Sequence, residues 1–348
     1  MIRVSDYIAN TLAEHGVRHV FMVTGGGAMH LNDAFGRCPG LEYVCCHHEQ
    51  ACAMAAESYC RLTNRLAALN VTTGPGGINA LNGVFGAWTD SIGMIVISGQ
   101  VRYETVVAST GLPLRQLGDQ EAGIVKMVES IAKYAVMVTD PKTIRYHLEK
   151  ALYLAQSGRP GPVWLDIPMN VQGALIEPDD LAAFGRDEVP DNTLDDAQLK
   201  VVCEEIRSRC LAAQRPVLMA GSGVRIAGAQ AQLLRLAAGW GVPLVTAWNA
   251  HDLVPNEHPC YAGRPGTIGD RAGNFAVQNA DFLLVLGSRL NIRQISYNWP
   301  SFAREAYQVV VDIDEIELRK PTIRPDLPVH ADVARVLEHL LAQPARDR

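Results

Sequence analysis

The chain has 348 residues, 48% of them hydrophobic and 20% charged, which is typical of a folded protein with two or three domains. The net charge of -6 argues against nucleic acid or an anionic membrane surface as a partner. No apolar run approaches the ~20 residues that span a bilayer, and the N-terminal pattern is unlike a secretory leader. The 8 cysteines lack a metal-binding spacing. We therefore expect a cytoplasmic protein with reduced thiols and no metal ligands of its own.

Residues 1–172 alternate apolar strand patterns with helical patterns, which predicts a doubly wound parallel sheet. The first helix is predicted over 5–15, with Ser5 as its N-cap. Strands are predicted at 20–23, 41–46, 66–71, 93–98 and 163–167, and further helices at 28–35, 49–62 and 78–89. The strand at 93–98 has almost no polar residue, as expected when helices cover both faces of a sheet.

An acidic, proline-containing stretch at 173–192 predicts a linker. Residues 193–348 then repeat the alternating pattern, which predicts a second, Rossmann-like domain. Strands are predicted at 216–220, 242–246, 282–286 and 308–313, and helices at 227–240 and 333–341. The fold class predicted from the whole sequence is therefore α/β, with two doubly wound parallel-sheet domains.

The residues His47-His48-Glu49-Gln50 stand where a strand runs into a helix. On its own, Glu49 could simply be a helix N-cap or a partner of the helix dipole. However, the glycine clusters at 25–27 and 74–77 also follow predicted strands. Because the carboxyl ends of parallel strands meet at one edge of the sheet, we expect these three segments to form a ligand pocket.

Three strings resemble, in order, the pyrimidine-binding domain of acetolactate synthases and their thiamine-diphosphate relatives. They are VFMVTGGGAMHLNDAF, HHEQACAMAAESYCRLT and TTGPGGINALNGVFGAWTDSIGMIVISGQV. The later strings GRPGPVWLDIP, RPVLMAGSGVR, VPLVTAWNAHDLVP, DFLLVLGSRLNIR and VVVDIDEIEL resemble the end of that domain and the central domain that follows it. The resemblance covers essentially the whole chain.

The resemblance implies a role for several residues of the first domain. Glu49 matches the glutamate that hydrogen-bonds N1′ of the aminopyrimidine of thiamine diphosphate, which is acid–base chemistry routed through the cofactor. Gln116 and Gln100 match amide side chains near the reacting centre. Lys133 matches the family's lysine more loosely, and the alternative is a solvated surface charge. Positions that shape the pyrimidine pocket are matched by Gly25, Gly26, Thr73, Pro75 and Asn79.

The sequence departs from the family pattern in two places near this pocket. Val23-Thr24 stands where Tyr-Pro is usual, and His47 stands where arginine is common. His47 could line the entrance, or it could be a satisfied histidine at a strand end.

The family's diphosphate-binding motifs do not occur in this sequence. Neither Gly-Asp-Gly nor an adjacent asparagine pair is present, so the resemblance implies that Mg²⁺ and the diphosphate are held by a partner domain. The chain is then either a fragment or one subunit of a split enzyme whose second chain carries these motifs. The polar tail at 343–348 favours a natural end and hence the split enzyme.

The central domain carries a glycine turn, Gly221-Ser222-Gly223, but Ile226 replaces the third glycine of a dinucleotide fingerprint, so the signal is weak. The resemblance implies FAD in a structural role. Relatives without FAD keep the fold, so these residues could equally form tight turns. The matching positions are Gly221, Gly223, Arg225, Gly287, Arg289, Arg293 and Asp312, with Asp314 nearby.

The function that the resemblance implies is a carboligase. A small 2-keto acid such as pyruvate loses CO2, and the remaining fragment is joined to a second carbonyl compound. Plain decarboxylases of the family carry a histidine pair in the region matching 105–118, where this chain has no histidine. Two alternatives stay open: a non-catalytic or regulatory paralogue, and an FAD-binding protein without thiamine chemistry. The small-residue helix around 51–56 predicts a homo-oligomer through the first domain.

Overall fold

The computed structural model describes residues 1–343, so residues 344–348 of the polar tail lie outside the described residues. Its contacts divide the chain into two compact units, Met1–Pro190 and a second unit from Asp191 onward. Most of the predicted linker belongs to the first unit. Leu175–Ile176 pairs antiparallel with Ile2–Arg3, and Phe184 packs on Tyr153 with ring centroids 5.6 Å apart.

The first unit contains a six-stranded parallel sheet with helices on both faces, and a separate antiparallel pair of short strands. Its strands are β1 (Ile2–Arg3), β2 (His19–Met22), β3 (Glu42–Cys45), β4 (Ala68–Val71), β5 (Met94–Gln100), β6 (Tyr134–Met137), β7 (Pro162–Pro168) and β8 (Leu175–Ile176). Its helices are α1 (Val4–Glu14), α2 (Met29–Arg37), α3 (Glu49–Thr63), α4 (Pro75–Asp90), α5 (Ile124–Val128), α6 (Ile144–Gln156) and α7 (Met169–Gln172). The order in the sheet is β3-β2-β4-β5-β7-β6, and β1 pairs only with β8.

The side chains of β5 alternate between two hydrophobic cores, so the sheet is buried on both faces. Ile95 and Ile97 pack into the core formed with α1, α2 and α6, whereas Met94 and Val96 pack into the core formed with α3, α4 and α5. Because consecutive side chains of a strand point to opposite faces, a strand covered on both sides has to be apolar throughout. The nearly continuous apolar run of the sequence therefore predicted this central strand correctly.

The strand order creates a switch point between β2 and β4 in the first sheet. The chain leaves β2 toward β3 on one side and leaves β4 toward β5 on the other. The loops that follow β2 and β4 consequently diverge and leave a crevice at the carboxyl edge, where open α/β sheets bind ligands. These loops contain the two glycine clusters of the sequence.

The second unit repeats the architecture with sheet order β11-β10-β9-β12-β13-β14, all parallel. Its strands are β9 (Pro216–Ala220), β10 (Leu244–Thr246), β11 (Tyr261–Gly263), β12 (Phe282–Leu286), β13 (Tyr307–Asp312) and β14 (Leu327–His330). Its helices are α8 (Asp196–Ala212), α9 (Ser222–Ile226), α10 (Gln230–Trp240), α11 (Arg271–Gln278), α12 (Ile292–Ile295), α13 (Glu315–Arg319) and α14 (Val333–Leu341). The predicted fold class, two doubly wound parallel-sheet domains, is confirmed.

Two local predictions were wrong. Ser5 is not an N-cap, because α1 begins one residue earlier, at Val4, with Arg3 as its N-cap, and Ser5 is buried inside the helix. The helix predicted over 227–240 is shorter, because Gly228 takes φ +67° and separates α9 from α10. Within residues 1–343, we find no helix with the length and apolar character needed to cross a bilayer.

Candidate active site

Glu49 is the first residue of α3, and it lies at the carboxyl edge of the first sheet. His48 caps this helix, since its Nδ1 accepts a hydrogen bond from Gln50 N at 3.1 Å. The Glu49 carboxylate is partly exposed, and its Oε2 accepts from Asn79 Nδ2 of α4 at 3.0 Å. A partly exposed carboxylate held by one amide is oriented and still has free acceptor positions for a ligand.

Gly74 allows two loops to meet beside Glu49. It has φ +57° and ψ -114°, a conformation that side-chain-bearing residues essentially avoid. A Cβ placed here would lie 1.9 Å from the carbonyl oxygen of Gln120. The loop that carries Gln120 therefore rests directly on the N-terminus of α4, where Pro75 occupies the first turn.

The glycines after β2 pack against the loop after β4. Gly27 N donates to Thr72 Oγ1 at 3.0 Å, and a Cβ at Gly25 would come within 2.5 Å of the Thr72 side chain. A Cβ at Gly26, by contrast, would have no heavy atom within 4 Å. Gly25 is therefore required for packing between the loops, whereas Gly26 is exposed and borders open space.

Gln100 and Thr73 belong to a buried polar cluster beneath these loops. The Thr73 hydroxyl donates to Gln100 Oε1, and Val101 N donates to the same oxygen at 3.0 Å. The Gln100 amide nitrogen donates to Asp166 Oδ2 at 3.1 Å and to Ala122 O at 3.3 Å. Both ends of the Gln100 amide are thus engaged within the protein, and the role implied for Gln100 near the reacting centre stays a prediction.

Asp166 is the only carboxyl group in this cluster, and its side chain is fully buried. Burial raises its pKa to about 7, while the hydrogen bonds from Ser98 and Gln100 act in the opposite direction. Sequence reasoning placed residues 163–167 in a strand but assigned no role to Asp166. The signal that could have drawn attention to it is an acidic residue inside an otherwise apolar central strand, which is rarely tolerated without hydrogen-bonded partners.

Glu121 holds the loop between β5 and α5 in shape, and sequence reasoning missed it as well. Its carboxylate accepts from the backbone N–H groups of Val107 at 2.6 Å, Leu117 at 3.2 Å and Gly118 at 3.1 Å. Gln116 lies exposed in the same loop, where its side chain donates to Glu121 O at 3.3 Å. Gln116 is thus part of the loop that reaches Gly74, although it is Gln120 whose backbone contacts that glycine.

The structure does not bring Lys133 to the same place. Lys133 immediately precedes β6, its backbone N–H donates to Pro162 O, and its Nζ donates to Ser157 O at 2.7 Å. Pro162 pairs with Met94 at the start of β5, whereas Gln100 ends that strand. Six residues of strand separate the two edges by roughly 20 Å. Lys133 therefore lies at the edge of the sheet opposite Glu49.

A cysteine lies close behind the Glu49 edge but does not have the properties of a nucleophile. Cys52, on α3, is buried, and burial together with a contact to Cys46 raises its pKa to about 12. A thiol is nucleophilic as the thiolate, so Cys52 is inert near neutral pH. Of these two side chains on α3, Glu49 is partly exposed and Cys52 is buried.

The predicted nucleotide residues of the second unit lie around its own switch point, between β9 and β12. The three glycines pack directly on one another. A Cβ at Gly221 would meet Gly287 O at 2.3 Å, and one at Gly223 would meet Gly287 Cα at 2.8 Å. Gly287 itself has φ +59°. The packing of these two turns therefore explains the glycines without any bound nucleotide.

The charged residues of this region are distributed over several elements. Arg225, on α9, forms an ion pair with Asp252 at 2.5 Å. Arg289 and Asp312 line one cleft together with Lys320, and Asp312 Oδ1 accepts from Asp314 N at 2.9 Å. Arg293 is exposed on α12. The structure thus brings Arg289 and Asp312 together, while Arg225 is already engaged by Asp252.

The fold and the Glu49 edge together define a class: an α/β protein whose first unit presents a carboxylate and glycine-lined loops at a sheet switch point. Comparison with known families agrees with this description. Residues 2–122 match the family described as thiamine pyrophosphate enzyme, N-terminal TPP binding domain. Residues 203–340 match the thiamine pyrophosphate enzyme central domain. The chain therefore belongs to the thiamine pyrophosphate enzyme family, which confirms the resemblance seen in the sequence.

Similar proteins include several acetolactate synthases. The acetolactate synthase large subunit of Lactococcus lactis is 30% identical over 348 residues, which cover 97% of this chain and 56% of that protein. Acetolactate synthase 1, chloroplastic, of Zea mays is 32% identical over 348 residues, covering 97% of this chain and 51% of that protein. The acetolactate synthase large subunit of Corynebacterium glutamicum is 32% identical over 339 residues, covering 96% of this chain and 51% of that protein. The chain spans about half the length of the curated relatives it matches.

Proposed function

We propose that this chain provides the pyrimidine-binding side of a thiamine-diphosphate active site for an acetolactate synthase-type carboligation. The observation that supports this most directly is the Glu49 carboxylate, oriented by Asn79 at the carboxyl edge of the sheet. A carboxyl group held in this way can exchange a proton with a ring nitrogen of a bound pyrimidine, which is general acid–base work. Thiamine diphosphate, when bound, supplies the electron sink that decarboxylation of a 2-keto acid requires.

The surroundings of Glu49 fit a flat ring. A Cβ at Gly76 would lie 2.8 Å from Thr72 Cγ2 and 3.6 Å from Glu49 Oε1, so the glycine lets the start of α4 lie close to both side chains. The open face at Gly26 lies on the other loop of the same crevice. We assign Glu49 to proton exchange, Asn79 to its orientation, and Gly26, Gly76 and Pro75 to the walls of the ring pocket.

The remaining parts of the active site come, in our proposal, from another domain or chain. A partner with Gly-Asp-Gly and Asn-Asn motifs would hold Mg²⁺ through oxygen ligands, and the Mg²⁺ would balance the negative charge of the diphosphate.

An exposed apolar face supports the homo-oligomer. It is the outer face of α3 and α4. Phe85 is 53% exposed, Met54 44% and Ile78 42%. Exposed apolar patches of this kind mark interaction surfaces, and we propose that a homo-oligomer forms here.

The same proposal includes FAD as a structural cofactor of the second unit, at the turns containing Gly221 and Gly287. Its support is the position of those turns at the sheet switch point, together with the cleft of Arg289 and Asp312. An absorption spectrum of the purified protein, followed by acid release and chromatography, tests this part. A flavin band in a protein without thiamine-dependent activity would instead favour the alternative of a plain FAD-binding protein.

The test of the main proposal begins with purification of the chain from its own host and mass spectrometry of the proteins that remain bound. A bound chain with both motifs is expected, and the complex is then assayed with pyruvate, Mg²⁺ and thiamine diphosphate. Glu49→Gln should lower turnover at least ~100-fold without changing assembly. The control is Glu42→Gln, an exposed carboxylate on the neighbouring strand β3.

The outcomes separate the alternatives. Unchanged turnover in the Glu49→Gln complex would overturn the catalytic role and favour a regulatory paralogue. Recovery of this chain without a partner, and without activity under the same conditions, would overturn the split enzyme.

A further inference from the structure

A buried polar cluster lies beneath the Glu49 edge and crosses from β7 through β5 to the loop after β4. Its side chains are Trp164, Ser98, Asp166, Gln100 and Thr73, and none is more than 8% exposed. Polar groups buried to this extent cost free energy unless they are hydrogen-bonded. The direction of each hydrogen bond therefore determines how the cluster is arranged.

The cluster has a fixed direction that begins at Trp164. An indole N–H can only donate, so Ser98 Oγ accepts from Trp164 Nε1 at 2.8 Å. The Ser98 hydroxyl then donates to Asp166 Oδ1 at 2.6 Å. The other carboxylate oxygen, Oδ2, accepts from Gln100 Nε2 at 3.1 Å. Asp166 is thus an acceptor on both sides, toward a hydroxyl and an amide.

This arrangement decides which way the Gln100 amide points. With its nitrogen directed at Asp166, its oxygen faces Val101 N, at 3.0 Å, and the Thr73 hydroxyl. A reversed amide would direct its oxygen at the carboxylate and its nitrogen at the Val101 N–H. The backbone N–H cannot become an acceptor, so the reversed orientation leaves buried groups without partners.

We propose that Asp166 is a positioning residue of the active site, which fixes Gln100 and, through it, Thr73 and the start of α4. The use of this edge for thiamine chemistry rests on the proposed function, whereas the positioning itself does not. Thr73 directly precedes Gly74, whose contact with Gln120 leaves no free space. Pro75 then starts α4, and Asn79, one turn further, holds the Glu49 carboxylate. A shift at Thr73 is thus transmitted to Glu49 through one helical turn.

Hydrogen exchange of the full-length chain, measured by mass spectrometry without added cofactor, tests the positioning directly. Asp166→Leu removes the acceptor for Gln100. We expect exchange in peptides covering residues 72–80 and 101 to become at least ~10-fold faster, with peptides from α1 unchanged. Equal acceleration in α1 would mean that Asp166 only stabilises the unit, and would overturn the proposal.

Two further variants separate the acceptor from the charge and from the rest of the cluster. Asp166→Asn keeps an oxygen that can accept from Gln100, and should restore wild-type exchange in residues 72–80. Ser98→Ala removes the bond to the other carboxylate oxygen and is the matched control, so it should leave those residues within ~2-fold of wild type. If Ser98→Ala accelerates the same peptides as strongly as Asp166→Leu, the cluster acts as one structural block and the assignment fails.

A double variant tests the path through Gln100. If Asp166 acts through this amide, Asp166→Leu combined with Gln100→Leu should exchange no faster than Gln100→Leu alone. Additive effects would show another route and overturn the path. In the assembled enzyme, the corresponding expectation for Asp166→Leu is a lower kcat with KM for pyruvate within ~2-fold. Because the exchange data need no turnover, failure of the positioning and failure of the proposed function are distinguishable.

Discussion

Replacing Gly74 by alanine perturbs the closest loop contact of the active-site edge. The glycine has φ +57° and ψ -114°, and alanine in this region costs about 1–3 kcal/mol of backbone strain. Its Cβ would also lie 1.9 Å from Gln120 O, so the loop from 101 to 123 has to move away. Forced displacement of packed groups costs a further ~1–3 kcal/mol. Together we expect the first unit to lose roughly 3 kcal/mol of its free energy of unfolding.

The assay is native-state hydrogen exchange of the slowest amides of β4 and β5, with β12 of the second unit as an internal reference. A loss of this size corresponds to roughly 100-fold faster exchange. The control is Gly36→Ala on α2, where a Cβ would meet no heavy atom within 4 Å and alanine should stabilise the helix by up to ~1 kcal/mol. If Gly74→Ala were as stable as Gly36→Ala, the argument from close approach and backbone conformation would be refuted.

Three further predictions follow from the described contacts. Glu121→Gln replaces a carboxylate that accepts hydrogen bonds from three backbone N–H groups by an amide with one acceptor oxygen. Hydrogen exchange of the backbone amides in residues 102–118 should become ~10-fold faster. Unchanged hydrogen exchange would contradict the role of Glu121. Burial raises the pKa of Asp166 to about 7, above about 3.9 for the unfolded chain. Between these two values the folded state therefore binds more protons than the unfolded state. The first unit should lose stability as pH rises from about 4 to about 7, by at most about 4 kcal/mol. Asp166→Asn should abolish this loss in urea unfolding at pH 5 and pH 8, and an equal loss in the variant would exclude Asp166 as its source. Gly287→Ala introduces a Cβ at a position with φ +59°, 2.9 Å from Gly223 Cα, and should lower the melting temperature of the second unit. Gly239→Ala, whose Cβ would meet open space, should not lower it. Equal melting temperatures for the two variants would contradict the packing of the two turns.

The sequence alone was sufficient for the two doubly wound units, because apolar periodicity reports local burial directly. The run at 93–98 became β5 (Met94–Gln100), and the run at 282–286 became β12 (Phe282–Leu286). Short strands with mixed burial were not predicted, among them β6 (Tyr134–Met137), all of whose residues are only partly buried. Ser5 was assigned to the wrong position, because a serine near a helix start can cap the helix or lie inside it, and only the chain direction before it decides which.

The residue types that could carry the chemistry were also visible in the sequence. Glu49 stands after a strand, and the glycine clusters follow two others, so their meeting at one sheet edge follows from parallel pairing alone. What only the tertiary structure decided is which groups act on which. Asn79 holds Glu49, Gln100 is engaged by Asp166 and Thr73, and Lys133 lies at the opposite edge. Hydrogen bonds between residues 27 to 66 positions apart depend on strand register and side-chain direction, which no local pattern encodes.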